Sequence, residues 1–581
     1  MRDEYTEMKG LSTVTKSLQK EIPQKMKEYN IPGLALALVS KSGTMWSQGF
    51  GYTDMSGQHA VNTDTLFCLQ STTKTVTTVA FLLAVQKGLI NLDDLLVDYY
   101  PEFTVKSRVD KDEYKKITFR HLLSHSSGLT REAQVGGVFN YVPCTWEEHI
   151  QSISGSWLKF PVGKWFSYSN AGMDLVVYAL ERITGMAYPA YVQKVLGDPL
   201  GITYYYDTRN MYEREDTAKG YLGDMKAACI DPVGLGCGAA HLSIRDQATF
   251  VRFLLNLGTV NGRKILNADY VNAMRAADKE GWYGLGTFVT TEDGVSLVFH
   301  PGGGFGFISE MYWVPEYNCG VAVFTNQEYA DNYGSILAKK AVKCILKAQG
   351  VSLKPTAFPF DNTPVKHIRP EVLDRLSGVY SGTWDSVTVG VDQEKLYMDY
   401  GGKIELIPHT ETAFSAESPK GVVFQLHNGS PVSLKMYSTG VFHLDYRGRP
   451  PEPPGPHKKE WEKFTGLYQV VIYGTDRVHC GVNVEDDGYL HVRWGSSKCA
   501  YQHEGIQNLF FLFNGDAVVF ADDHMRYDNV YWKKIDDPVA FFTELYSGDG
   551  HREWILDNAA DTLRYLGRHK EAEEILQLKH L

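Results

Sequence analysis

Thr65-Leu-Phe-Cys-Leu-Gln-Ser-Thr-Thr-Lys74 runs into the apolar stretch Val76 to Val85 and stops at Gly88. The spacing predicts a helix from Ser71 to Lys87 that Gly88 closes. Residues three apart at a helix start share a face, so Ser71 Oγ comes within reach of the Lys74 amine. A serine hydroxyl becomes a nucleophile when a base takes its proton. A lysine acts as that base where burial disfavours its charged form. The helix start adds a backbone N–H for a nascent oxyanion. In isolation Ser-x-x-Lys is more often a solvated helix start than a catalytic pair.

Working outward, Leu34-Ala-Leu-Ala-Leu-Val39 and Thr44-Met-Trp-Ser-Gln-Gly49 read as strands joined by a Lys-Ser-Gly turn. Gly320-Val-Ala-Val-Phe-Thr325 reads as a buried strand, and Tyr333 to Gln349 as a closing helix. Strands at both ends with helices between predict an α+β layered domain over residues 1–352. Pro355, Pro359, Pro364 and Pro370 mark a linker. From Glu371 short strands and turns take over, interrupted by the stiff Arg449-Pro-Pro-Glu-Pro-Pro-Gly-Pro456. Leu376-Ser-Gly-Val-Tyr380 recurs as Phe464-Thr-Gly-Leu-Tyr468, each followed by a strand–turn–strand pattern, Val387 to Met398 and Cys480 to Val492. Asp486-Asp-Gly488 is a hairpin signal. Two small antiparallel barrels follow, 371–447 and 460–535, because closure removes exposed edges. The tail, 536–581, has helical spacing from Asp557 to Leu578.

Three further motifs lie in the first region. In Trp165-Phe-Ser-Tyr-Ser-Asn-Ala-Gly172, the Tyr168 phenol beside an ammonium suits proton relay, and Asn170 offers an amide to a substrate carbonyl. In His300-Pro-Gly-Gly303, followed by Gly304-Phe-Gly-Phe307, the glycines let backbone approach a substrate closely, with the Gly303 amide as a second oxyanion donor. No helical pattern follows, so this is not a dinucleotide fingerprint. His121-Leu-Leu-Ser-His125-Ser-Ser-Gly-Leu129 places two histidines four apart, without His-Glu-x-x-His and without a third ligand. These histidines are expected to brace the floor of the site rather than bind metal.

The chain has 581 residues, 22% of them charged, and a formal charge of −11. That balance disfavours a nucleic-acid grip, which needs a basic surface. No apolar run approaches the roughly 18 residues of a membrane span, and no signal-peptide pattern opens the chain. Eight scattered cysteines without a Cys-x-x-Cys pair point to reduced thiols and a cytoplasmic location.

Together and in this order, the motifs resemble the serine β-lactamase and penicillin-binding-protein superfamily, whose Ser-x-x-Lys, Ser-Asp-Asn and Lys-Thr-Gly set has a known mechanical logic. Tyr168-Ser-Asn170 is similar to the middle motif of class C β-lactamases and related esterases and peptidases. Ile31 to Val39, Gly49-Phe-Gly-Tyr52 and Gly236-Cys-Gly-Ala-Ala-His-Leu-Ser243 add to the likeness, which covers about residues 13–350. The resemblance implies Ser71 as nucleophile, Lys74 and Tyr168 as base and proton relay, and Asn170, His300, Gly302 and Gly303 as substrate-holding residues. It implies no metal and no organic cofactor, and a small molecule or short peptide as substrate. His300 stands where the superfamily has a lysine that meets the substrate's carboxylate. Histidine is mostly neutral at pH 7, which moves the expectation away from a true β-lactamase.

Histidine there resembles the D-aminopeptidase branch, whose plan is a catalytic domain followed by two eight-stranded, lipocalin-like barrels. In that branch a loop of the last barrel enters the active site and helps select a free amino terminus. The turn Ile472-Tyr-Gly-Thr-Asp476 is the candidate for it here, and the helical tail has no counterpart. An esterase or an acyltransferase or peptide cyclase on the same site stays open, as does a homo-oligomer. A non-catalytic scaffold on the same fold is the alternative of another class. The intact set of five motif side chains argues against it.

Overall fold

The computed structural model describes residues 2–580 apart from 138–142, 228–232, 278–281, 329, 331, 355–362, 366, 383–385, 401, 418, 438–440, 450–458, 473–475, 486–487, 495 and 547–552. Strands β1 (Gly33–Val39), β2 (Thr44–Gly51), β3 (Phe288–Glu292), β4 (Val295–Gly304), β5 (Phe307–Val314) and β6 (Cys319–Thr325) form one six-stranded antiparallel sheet in the order β2-β1-β6-β5-β4-β3. Every residue of β1 is buried. The reason is layering: Leu34, Leu36 and Leu38 join one core, and Ala35, Ala37 and Val39 join the other. Alternation across a pleat thus explains a strand that is apolar throughout.

On one face lie helix α1 (Arg2–Glu28) and a later helix that closes the domain, Tyr333–Ala348. Val14, Leu18, Ile22 and Met26 sit at a four-residue spacing on α1 and pack with Leu337, Ala341 and Ile345. On the other face lie α2 (Thr73–Gln86) and α3 (Asn170–Thr184), with α4 (Ile244–Leu255) against β6. The helix predicted from Ser71 begins instead as a 3-10 turn, Gln70–Thr72, that feeds straight into α2. Residues Thr73 to Ala84 are all buried, so this is a core helix and not a solvated helix start. Its buried hydroxyls are satisfied: Thr75 Oγ1 donates to Gly286 O at 3.0 Å and Thr78 Oγ1 to Lys74 O at 2.8 Å.

Two closed barrels follow, each of eight antiparallel strands, from Gly378–Ser381 to Val441–Gly448 and from Gly466–Ile472 to Val530–Ile535. The repeated Gly-x-Tyr is structural in both. Gly378 and Gly466 take φ of 148° and 149°, which a side chain disfavours. Two residues on, Tyr380 and Tyr468 each donate back to the carbonyl four residues earlier, Leu376 O and Phe464 O, both at 2.8 Å. The predicted hairpin at Asp486-Asp-Gly488 falls partly outside the described residues; the strands on either side of it pair antiparallel, and Gly488 takes φ of 81°. The stiff break to Pro456 and the start of the linker, with Pro355 and Pro359, lie outside them too. The tail forms helices Pro538–Tyr546, Glu553–Tyr565 and His569–Gln577, which bury Ile555, Leu563 and Ile575 against Leu467 and Ile535 of the second barrel.

Among the described residues no helix is long and apolar enough to cross a membrane. Seven described cysteines are free thiols; Cys229 lies outside the described residues.

Candidate active site

Ser71 sits in the 3-10 turn at the mouth of α2, after Gln70, whose φ is +48°. Positive φ in a side-chain-bearing residue costs energy, and such strain gathers at functional sites. One turn on, Lys74 is fully buried, with Nζ 3.2 Å from Ser71 Oγ. The same Nζ donates to Cys237 O at 2.7 Å, which anchors the amine in place. Sequence spacing anticipated the Ser71–Lys74 contact; the carbonyl of Cys237, 163 residues away, it could not.

Tyr168 and Asn170 flank a helix cap. Ser169 Oγ accepts from Gly172 N at 2.9 Å and donates to Thr130 O at 2.7 Å, so it turns inward as the N-cap of α3. Of its neighbours, Tyr168 faces Lys74. The Lys74 Nζ lies 4.7 Å from the Tyr168 ring centroid, and the Arg131 guanidinium 5.2 Å. Cations over an aromatic face are attracted by its quadrupole. Asn170 Nδ2 donates to Glu132 Oε1 at 2.6 Å.

The two histidines of the His121–Leu129 motif do not share a helix. The helix Phe119–Leu123 ends before His125, which takes φ of +56°. His121 completes a capping box with Thr118. His125 is buried, its ring 4.4 Å from that of Tyr168, and its Nδ1 accepts from Ser169 N at 3.2 Å. Burial first, then the charge of Lys74, holds it well below the usual histidine range. His125 therefore braces the Tyr168–Ser169 turn as a neutral ring.

His300 lies on β4 with no exposed surface. Its Nε2 meets the Tyr283 hydroxyl at 3.2 Å and its Nδ1 meets Pro301 O at 2.7 Å. Burial and the nearby Lys74 push it down to about 3, so it carries no charge at neutral pH. Next along β4, Gly302 is packed so tightly that a Cβ there would collide with Leu69 O and Ser309 Oγ and come within 3.0 Å of Ser71 N. The strand thus lies directly against the Ser71 turn. Gly303 is exposed, and a Cβ on it would meet Ile308 Cδ1 alone, at 3.2 Å.

Both barrels dock on the segment that leads to Tyr168. From the first, Asp445 Oδ2 accepts from Phe166 N at 3.2 Å, and Arg447 donates to Phe166 O at 3.3 Å while lying 4.5 Å from the Trp165 ring. His443 stacks on Trp282 at 5.8 Å. From the second, largely buried Lys159 meets Asp516 at 2.8 Å and Asp528 at 2.9 Å. Beside them Asn529 Nδ2 donates to Thr130 Oγ1, Glu132 O and Ser156 Oγ at 2.8–3.0 Å. A turn of the last barrel, Asp528-Asn529, therefore packs on the Thr130–Glu132 segment, whose Glu132 carboxylate bonds Asn170. The turn suggested for that part, Ile472 to Asp476, falls largely outside the described residues. Motif reading also missed Arg131, Glu132 and Asp174. Asp174 had a signal: a carboxylate four residues after Asn170, inside the apolar run Met173 to Val177.

Against known families, the profile described as Beta-lactamase matches residues 18–342. Among curated proteins, an unguisins hydrolase of Aspergillus campestris is 26% identical over 336 residues, 54% of this chain and 61% of that protein. Penicillin-binding protein 4* of Bacillus subtilis is 25% identical over 442 residues, 68% of this chain and 90% of that protein. The alignment thus spans about three fifths of the fungal relative's length. Among solved structures, a crystal structure of SurE with D-Leu aligns with a TM-score of 0.55 at 20% identity, over 75% of this chain and 100% of that one. At that identity the likeness speaks for the fold alone.

Proposed function

The chain belongs to the β-lactamase family, and we propose that it is a serine hydrolase of small peptides or amides that works through an acyl-enzyme on Ser71. One observation carries this reading: a buried lysine amine held 3.2 Å from the Ser71 hydroxyl by a carbonyl on its far side. Ser71 Oγ attacks the scissile carbonyl carbon as Lys74, with Tyr168, takes its proton. The amides of Ser71 and Gly303 hold the oxyanion. Tyr168 returns a proton to the departing amine as the tetrahedral intermediate collapses, and water then releases the acyl group. Asn170 fixes the substrate amide, and His300 supports the strand that carries Gly302 and Gly303.

A D-aminopeptidase-like specificity is supported by two features beside the site: the buried carboxylate of Glu132 bonded to Asn170, and the Asp528-Asn529 turn of the last barrel that bonds the Glu132 backbone. The free thiols suit a reducing, cytoplasmic setting. An esterase or acyltransferase would share every step up to the acyl-enzyme. The test is a panel of D- and L-aminoacyl p-nitroanilides against short-chain p-nitrophenyl esters, with Ser71→Ala beside the wild type. Turnover of aminoacyl anilides, lost in the variant, is expected. Turnover of esters alone contradicts the amide reading, and equal turnover by the variant contradicts Ser71.

A further inference from the structure

Beside Ser71 the site continues into a narrow pocket of about 20 Å³, lined by Gln70, Glu132, His149, Asp174, Cys237 and Phe305 together with three glycines. By this measure a water needs roughly 10–15 Å³, so the end of the pocket holds one small polar group. Glycine keeps it open: a Cβ on Gly234 would lie 2.7 Å from Cys237 Sγ and 3.3 Å from Asp174 Oδ2.

Two buried acceptor atoms in and beside this pocket lack a partner. Asp174 is 1% exposed, and its Oδ1 has no hydrogen-bond partner. Its Oδ2 meets His149 Nε2 at 3.1 Å, and His149 Nδ1 meets Val135 O at 2.8 Å. A carbonyl and a carboxylate both accept, so both ring nitrogens are placed to donate, as in the charged imidazolium. Burial opposes that charge, but the bond and charge of Asp174 outweigh it and raise the histidine above its usual range. Asp174 is thus already paired once, and Glu132 has Arg131 at 3.4 Å. What remains is buried acceptor capacity at Asp174 Oδ1, and at Asn170 Oδ1, which is also buried without a partner.

A primary ammonium brings three donors and no acceptor, and it is small. A guanidinium is too wide for the space, and a carboxylate would add acceptors to acceptors. Position separates two sources of such a group. Asp174 lies four residues after Asn170 on α3, about 6 Å deeper along the helix. An α-ammonium sits one bond from the acyl residue's Cα and stays near Asn170. Of the two, a side-chain ammonium is the better match to Asp174.

We propose that this pocket is a subsite for the primary ammonium at the end of an unbranched side chain, as on a lysyl or ornithyl residue, on the acyl side of the scissile bond. The acyl-side placement rests on the Ser71 reading; the ammonium site itself does not. Binding is therefore tested apart from turnover, by calorimetric titration of the wild-type protein with n-hexylamine and with n-hexanol. The amine is expected to bind at least tenfold more tightly, and Asp174→Asn to remove the difference. Equal binding of the two probes, or binding of neither, means that the pocket holds water only and overturns the subsite. Lysyl, norleucyl and arginyl p-nitroanilides then compare kcat/KM on the wild type, with lysyl expected to lead. Amine binding without any turnover would sink the hydrolase reading and leave the site standing. Turnover without a lysyl preference would do the reverse to the acyl-side placement.

Discussion

Replacing Gly302 by alanine tests whether β4 truly presses on the Ser71 turn. The φ of Gly302 is ordinary, so the backbone tolerates a side chain and the effect is steric alone. The added Cβ would fall well under 3.0 Å from both Leu69 O and Ser309 Oγ, and 3.0 Å from Ser71 N. Neither obstacle can swing aside. Leu69 O is backbone and already accepts from Thr72 N at 3.1 Å, and Ser309 Oγ is held by Thr72 Oγ1 at 2.6 Å. Relief requires the strand and the turn to part by roughly half an ångström or more, at an overpacking cost of about 1–3 kcal/mol in stability. The same parting separates the two amides proposed to hold the oxyanion. Losing one such donor typically costs a factor of roughly 10²–10³ in kcat. Alanine at Gly303, where a Cβ meets the flexible end of Ile308 at 3.2 Å, should cost at least tenfold less. Steady-state turnover of p-nitrophenyl acetate, with thermal melts of both variants, reads the effect. Equal activities for the two variants, or a Gly302→Ala protein with unchanged kcat, would refute the reasoning.

Two further predictions concern buried charge. Lys159→Met leaves buried Asp516 and largely buried Asp528 without their lysine, which should cost about 3–5 kcal/mol and release the second barrel early in a denaturant titration; a change below about 1 kcal/mol would show that the cluster is not as buried as described. Glu310 on β5 is pushed up to about 7 by burial. A carboxyl raised in the fold stabilises fully below its unfolded value and loses that contribution as pH rises through its folded value. Glu310→Gln should therefore gain on the wild type by about 3 kcal/mol between pH 4 and pH 8, seen as a widening Tm difference; a constant difference would contradict it.

Local chemistry made much of this legible. The run Leu34 to Val39 declared a strand, the Gly-x-Tyr echo declared two like barrels, and Ser71-Thr-Thr-Lys74 placed its own ends on one face. What stayed hidden arises from contacts distant in the chain. Cys237 O that anchors Lys74, Asp445 and Arg447 that clamp Phe166, and Asn529 at the Thr130–Glu132 rim are ordinary residues until the fold sets them there. His121 and His125 were expected to brace the floor of the site, but how they do so depends on the backbone. Four-residue spacing implies one helix face only while the helix lasts, and the backbone turns left-handed at His125. The α1 stripe of Val14, Leu18, Ile22 and Met26 escaped the sequence reading, because the many charges between these residues mask its four-residue period.

The central claim is the nucleophile. Intact mass spectrometry after reaction with a fluorophosphonate, followed by peptide mapping, tests it most directly. One covalent adduct on the wild type, mapped to Ser71 and absent from Ser71→Ala, is the expected result. No adduct on the wild type, or equal labelling of the variant, would contradict an acyl-enzyme at this position.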